Sequence, residues 1–332
     1  MKIIVDCFGA DEPIKVIQGA VSALEDKDIE LVLAGAEGEI TKALEGVEYD
    51  TSRVEILDAP SVITNMDVPT VALKTKADSS LVLAMKRLKQ DPECVGLVSA
   101  GSTGAVLTAA TILVGRIRGI TRPALMPALP TVNDGKVYLI DCGANSDCKA
   151  PMLVQFGIMG NAYAQAVAGI GNPRVALLAN GTEDKKGNEL IHETFPLMKE
   201  STLNFVGNME AREILSGNYD VIVADGFSGN IALKACEGTA VSIFDLLKKN
   251  IYGGGFFAKI GAMLLKPVFK KLKKTLDYSN NGGAVLMGIS KPIVKGHGAS
   301  GSKSIKACIA QVKEMVLGDV VGKITDALKT IE

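Results

Sequence analysis

Short apolar runs rich in Ile, Val and Leu alternate along this chain with longer stretches of helical periodicity. Strands are expected over 2–6, 29–34, 53–57, 95–98, 136–141, 174–179, 203–206 and 220–224. Helices are expected over 13–25, 79–89, 102–116, 151–168, 187–199 and 229–249. Such alternation implies right-handed crossovers, so the fold class is α/β, a three-layer α/β/α arrangement around a largely parallel sheet. Several strands run into glycine or another small residue just before a helix: Ala34-Gly35, Ser99-Ala100-Gly101, Asp141-Cys142-Gly143, Asn180-Gly181 and Asp225-Gly226. Open α/β sheets bind ligands beyond the carboxyl ends of their strands, and this chain concentrates its glycines and small polar residues there. One unit over 1–332 is expected, with an insertion at about 253–274; a two-lobed body with a cleft is equally compatible.

Composition removes several function classes. The formal net charge of −1 argues against a nucleic-acid partner, and a chain without Trp offers little for base stacking. Met1-Lys2 leads straight into the first apolar run rather than into a signal-like segment. No run approaches the ~18 apolar residues of a spanning helix, so a cytoplasmic location is expected. The six cysteines, at 7, 94, 142, 148, 236 and 308, form no C-x-x-C, and there are two histidines. Disulfides, a metal and a cofactor are therefore not expected.

The strongest local signal is Ser99-Ala100-Gly101-Ser102-Thr103-Gly104, where a strand ends, the chain turns and a helix begins. Gly101 and Gly104 allow close approach of backbone N–H groups, and Ser102 and Thr103 add hydroxyls at a helix N-terminus, a setting that favours an anion. A tight turn with a serine cap is the plainer alternative. Asp225-Gly226-Phe227-Ser228-Gly229-Asn230 repeats the arrangement: Asp225 either orients a ligand group or simply caps the helix. Asp141-Cys142-Gly143-Ala144-Asn145 is a third loop of this kind, and three together favour one shared anion site. In Lys185-Lys186-Gly187-Asn188 a lysine precedes a helix, placed either to neutralise an anion or to sit in solvent. His297, between Gly296 and Gly298, suits a ligand-facing role, whereas His192, within a helix, suits a structural one. Walker A and nucleophile-elbow motifs are absent, and the opening loop is no dinucleotide fingerprint.

Residues 256–274 hold six lysines and no acid. At helical spacing Phe257, Ile260, Leu264, Val268 and Leu272 line one face, while Lys259, Lys266, Lys270 and Lys273 gather opposite. Lys271 departs from the division, and Pro267 is expected to break or kink the helix. The pattern suits reversible contact with an anionic membrane surface or an acidic partner; packing on the body or on a second subunit is the alternative.

These segments in this order resemble the bacterial phosphate acyltransferase family of phospholipid synthesis. The resemblance rests on DCFGAD at 6–11, SAGSTGA at 99–105, GRIRGITRPA at 115–124, DCGAN at 141–145, KGNE at 186–189, DGFSGN at 225–230, LDYSNNGGA at 276–284 and HGAS at 297–300. The opening departs from the usual D-A-M-G-G-D at Cys7, Phe8 and Ala10, and Ser102 replaces a usual Asn. The resemblance implies a fold akin to isocitrate and isopropylmalate dehydrogenases and phosphate acetyltransferases. It implies a homodimer and peripheral membrane association. The implied reaction transfers an acyl group from acyl carrier protein to inorganic phosphate, giving acyl phosphate for a membrane glycerol-3-phosphate acyltransferase.

For that chemistry the loops at Gly101, Ser102, Thr103 and Gly104 and at Gly226, Ser228, Gly229 and Asn230 are expected to hold phosphate, with Asp6 and Asn145 in substrate-binding loops. Lys186 is assigned to the oxyanion or phosphate charge, with His297, Asn188 and Asp225 as further catalytic candidates. Phosphate is itself the nucleophile, so no protein nucleophile is required. An acyl-CoA-dependent phosphate acetyl- or butyryltransferase is the nearest rival. A nicotinamide-dependent dehydrogenase of the related fold would need a carboxylate metal set and a cofactor loop, and a non-catalytic membrane adaptor leaves the glycine loops without purpose.

Overall fold

The computed structural model describes residues 1–276 and 282–329. Its strands are, in chain order, β1 (Lys2–Asp6), β2 (Glu30–Gly35), β3 (Val54–Asp58), β4 (Cys94–Ser99), β5 (Ala124–Met126) and β6 (Ala128–Pro130). Then follow β7 (Lys136–Ile140), β8 (Val175–Ala179), β9 (Phe205–Glu210), β10 (Val221–Val223), β11 (Ala284–Met287) and β12 (Ile293–Lys295). They form two sheets, not one. The first runs β3-β2-β1-β4-β12-β11-β5 and the second β6-β7-β10-β8-β9. All pairings are parallel except those of β11 with β12 and β5, and of β6 with β7. The chain crosses between sheets at Pro127, which separates β5 from β6.

Side-chain alternation fixes which helices cover each face. Ile3 and Val5 point one way with Leu31, Leu33 and Val98, and the same core takes in residues of α1 (Pro13–Ser22). Ile4, Val32 and Leu97 point the other way, among residues of α4 (Ser80–Gln90) and α5 (Thr103–Ala109); α2 (Glu37–Ala43) and α3 (Pro69–Thr75) lie between β2 and α4 in sequence. Strands buried on both faces read as unbroken apolar runs, which is why β1 and β4 are legible. In the second sheet Tyr138, Ile140, Val175, Leu177, Val221 and Val223 join the core of the first face, bridged by α6 (Ala150–Val167) through Leu153, Phe156 and Met159. One apolar core thus runs between the sheets. The second sheet's other face, with Val137, Leu139 and Ile222, is covered by Ala232 and Leu233 of α8 (Gly226–Gly253).

Helix α7 (Glu189–Glu200) follows β8, and α10 (Ser302–Leu317) and α11 (Val320–Lys329) close the described chain, α10 packing on α1. Between α8 and β11 stands α9 (Phe256–Leu276), joined to α8 at the Gly254-Gly255 break. Of the break or kink expected at Pro267 the break does not occur, and the helix runs on through it. A proline removes one hydrogen bond, and on this exposed stretch solvent can satisfy the freed carbonyl. Both faces of α9 are exposed: Phe257 is 86% and Leu264 77% accessible, and Lys266 and Lys270 are exposed opposite. The side chains of Lys259 and Lys273 lie outside the described residues, as do positions 277–281 of the LDYSNNGGA segment.

Candidate active site

Parallel pairing sends the carboxyl ends of β1, β4 and β12 to one edge of the first sheet, and those of β7, β10 and β8 to one edge of the second. Loops from each edge are knitted together. In the first set the Asp6 carboxylate accepts hydrogen bonds from Ser80 Oγ at 2.6 Å and Ser99 Oγ at 2.7 Å, and Gly101 N donates to Ser99 Oγ at 3.1 Å. Asp11 N donates to the Gly298 carbonyl at 3.0 Å, and Gly296 N to that of Ser99 at 2.9 Å. Gly9 crosses Gly101 so closely that a Cβ on it would lie 2.6 Å from Gly101 Cα. Cys7 and Phe8 belong to the core.

In the second set Asp141, fully buried, accepts four hydrogen bonds: Leu125 N and Ala144 N on Oδ1, Asn145 N and Nδ2 on Oδ2. Burial raises the pKa of Asp141 and of Asp6 against these donors. Asn145 Nδ2 also reaches the Pro123 carbonyl at 2.8 Å. Gly229 packs on this loop with no room for a side chain, since a Cβ would sit 2.0 Å from the Asp141 carbonyl oxygen. Asp225 caps α8, accepting from Phe227 N at 3.0 Å and Ser228 N at 2.8 Å.

Between the two edges lies a cavity of about 320 Å³. Thr103 and His297 reach it from the first sheet's side; Gly143 and Asn230 reach it from the second. Lys234 and Glu237 of α8 and Lys295 of β12 complete its polar lining, and Leu125, Leu129 and Leu233 are among its apolar walls. Lys234 pairs with Glu237 at 2.7 Å. Burial, then the charge of Lys234, hold Lys295 below the ordinary lysine value. Burial and the same two lysine charges lower His297. His297 Nδ1 accepts from Ala299 N at 3.2 Å, so the neutral ring carries its proton on Nε2.

Of the residues singled out from sequence, Thr103, Asn230 and His297 meet in this cavity. Asp6 and Asp225 are instead spent on serine hydroxyls and a helix cap. Gly101, Gly226 and Gly229 are buried at loop crossings, Ser102 and Ser228 are half-buried outside the lining, and Gly104 is exposed. Asn145 clamps its own loop and faces a second cavity. Lys186 and Asn188 are exposed on the loop after β8 and do not line the cavity; Asn188 caps α7 by accepting from Ile191 N at 3.1 Å. His192 ties Nε2 to the Lys185 carbonyl at 3.0 Å, the structural role expected of it. Lys234, Glu237 and Lys295 escaped sequence reasoning. Signals for two of them exist: Lys234 stands four residues after Asn230 on one helix face, and Lys295 two residues before His297. No group of three or more His, Cys, Asp or Glu that could hold a metal occurs among the described residues.

The family model described as "Fatty acid synthesis protein" matches residues 1–323. A phosphate acyltransferase of Alkaliphilus oremlandii is 42% identical over 332 residues, covering 100% of this chain and 98% of that protein. One of Bacillus licheniformis is 45% identical over 331 residues, covering 99% and 98%. Among solved structures, a phosphotransacetylase from Streptococcus pyogenes aligns with a TM-score of 0.63 at 16% identity, covering 97% of this chain and 94% of that one. A 4-hydroxythreonine-4-phosphate dehydrogenase from Klebsiella pneumoniae aligns at 0.57 and 12%, covering 96% and 99%. At such identities these two establish the fold alone.

Proposed function

The chain belongs to the fatty acid synthesis protein family, together with the phosphate acyltransferases it matches, and on that premise we propose that it moves a long-chain fatty acyl group from an acyl-carrier-protein thioester to inorganic phosphate. The observation that carries the reading is the cavity between the sheet edges. Two lysines, an imidazole N–H, a hydroxyl and an amide share it with leucine walls. Phosphate needs the cations and donors, and the acyl–sulfur end of the donor needs the apolar wall.

A phosphate oxygen attacks the thioester carbonyl carbon, a C–O bond forms, and the carbonyl oxygen takes the negative charge. Collapse breaks the C–S bond and the thiolate takes up a proton; as a good leaving group it needs no strong acid. Holding the two reactants together removes several kcal/mol of the barrier, and each donor aimed at the oxyanion contributes ~3 kcal/mol. Lys295, Lys234, His297 Nε2–H, Thr103 and Asn230 take these roles in the proposal. An arriving phosphate dianion keeps Lys295 protonated despite its lowered pKa. Lys186 and Asn188, on the neighbouring β8 loop, remain candidates for the rim of the site.

The finer reading extends to the surface. No helix among the described residues is long and apolar enough to cross a membrane. The exposed apolar residues of α9 beside Lys266 and Lys270 support reversible contact with an anionic bilayer, from which acyl phosphate passes to a membrane glycerol-3-phosphate acyltransferase. Exposed Val241, Ile243 and Leu246 on α8 support a homodimer. The phosphotransacetylase fold favours the second reading, a short-chain acyl-CoA donor. Phosphorus NMR of the product, with palmitoyl-carrier protein and acetyl-CoA as competing donors, tests the choice. Palmitoyl phosphate is the expected species; acetyl phosphate alone would transfer the conclusion to the second reading.

A further inference from the structure

A second cavity, of about 570 Å³, opens on the far side of the 141–145 loop. Arg116 and Arg122 line it with Thr108, Thr111, Ile112 and Asn145, and among the described residues no acidic side chain does. The Arg116 guanidinium donates to the Thr121 carbonyl, which fixes its plane and leaves further N–H groups free. Thr108 and Thr111 spend their hydroxyl protons on the Gly104 and Leu107 carbonyls, both at 2.7 Å. Two guanidinium groups in a concave site without a carboxylate form an anion seat, and the planar N–H fork suits a phosphate best.

This seat adjoins the candidate active site. A crevice too narrow for a water molecule is lined by residues of both cavities: Thr103, Leu125 and Lys295 from the first, Leu107 and Ala144 from the second. A thin, mostly uncharged chain with a phosphate at one end and a reactive group at the other matches such a path. The phosphorylated pantetheine arm that bears acyl thioesters on carrier proteins and on coenzyme A has that form.

We propose that Arg116 and Arg122 hold the phosphate of the donor's pantetheine arm, and that the arm lies along the crevice to present its thioester beside Lys295. The inference rests on the acyl-transfer reading and names where the donor sits. It also explains why the two cavities differ: the first must hold a free anion and a developing oxyanion, the second an anion already esterified. Entry of the arm requires the crevice to widen, since it has no room for a water molecule.

The test compares the wild type with the Arg116→Gln/Arg122→Gln double variant on three palmitoyl donors: carrier protein, coenzyme A, and pantetheine lacking phosphate. With phosphorylated donors the variant should lose at least about ten-fold in kcat/KM, through KM. With palmitoyl pantetheine the ratio of wild type to variant should fall to about one. Arg118→Gln, in the same segment but outside the lining, serves as the control and should leave all three donors unchanged. Loss with only one of the two phosphorylated donors would overturn the seat, because both carry the same pantetheine phosphate. Equal losses on all three donors, or a change confined to the KM of inorganic phosphate, would overturn it. Calorimetric binding of 4′-phosphopantetheine against pantetheine reads the seat without turnover. Preference for the phosphorylated form that vanishes in the double variant upholds the seat even if wild type forms no acyl phosphate; equal binding of both forms overturns it.

Discussion

Individual residues divide into those that hold the loops and those that face the cavity, and sequence alone leaves the two open, as at Asp225, where a ligand role and a helix cap are both readable. Asp141 and Asp225 stand at equivalent strand ends, and the carboxylates of both are consumed by N–H groups of their own loops. Short loops expose many backbone donors, and an aspartate nearby is the least costly way to satisfy them. Asp141→Asn should destabilise the fold by about 3 kcal/mol in denaturant titration, since either orientation of the amide turns an NH₂ group toward two N–H donors. An unchanged midpoint would show that the carboxylate is not the hub of this loop. Lys295 is the opposite case: its cavity-facing role depends on β12, a three-residue strand too short to announce itself. Lys295→Met should lower kcat ~100-fold or more. Wild-type rate should decline as pH rises through the lowered lysine pKa, short of the ordinary 10.5. Unfolded Lys295 binds its proton more tightly than the folded residue does, so its burial weighs against folding below the lowered pKa, and stability recovers between that value and 10.5. The methionine variant should therefore melt no lower than wild type at neutral pH.

At the level of elements, long apolar runs were legible and most short ones were not, β10 being the exception. The strands at 2–6, 95–98 and 136–141 match β1, β4 and β7 to within a residue at each end. The strands β5, β6, β11 and β12, of three or four residues, leave too little alternation to read. They are also the antiparallel elements and the seam, so their omission turned two sheets into one. The motif glycines suit close approach by a ligand, yet Gly101 and Gly229 are where one loop crosses another; sequence marks the need for a small residue without naming what approaches it. Helix α9 was placed correctly, and its exposed faces give the membrane proposal a direct check. Phe257→Asp with Leu264→Asp should cut sedimentation with anionic vesicles about ten-fold, and raising salt should weaken wild-type binding. Equal recovery on neutral and anionic vesicles would remove the lysines from that account.

Across the whole molecule, the proposed function draws on two sheets that present their carboxyl edges to one another. A single sheet would collect loops on one rim; two make a walled space, with α6 locking the core behind it and α8 lending both a wall and Lys234. The family was legible from eight short motifs, and Thr103, Asn230 and His297 of the cavity with it, while Lys234, Glu237 and Lys295 were not, because the cavity assembles from segments spread between Thr103 and His297 that meet only when β12 inserts beside β4. The measurement that bears most directly on this account is thiol release from palmitoyl-carrier protein, with and without inorganic phosphate, while hydroxylamine traps the product. Phosphate-dependent release with an equal yield of palmitoyl hydroxamate, lost in Lys295→Met, is the predicted result. Release that ignores phosphate, or full activity in a folded Lys295→Met protein, would contradict it.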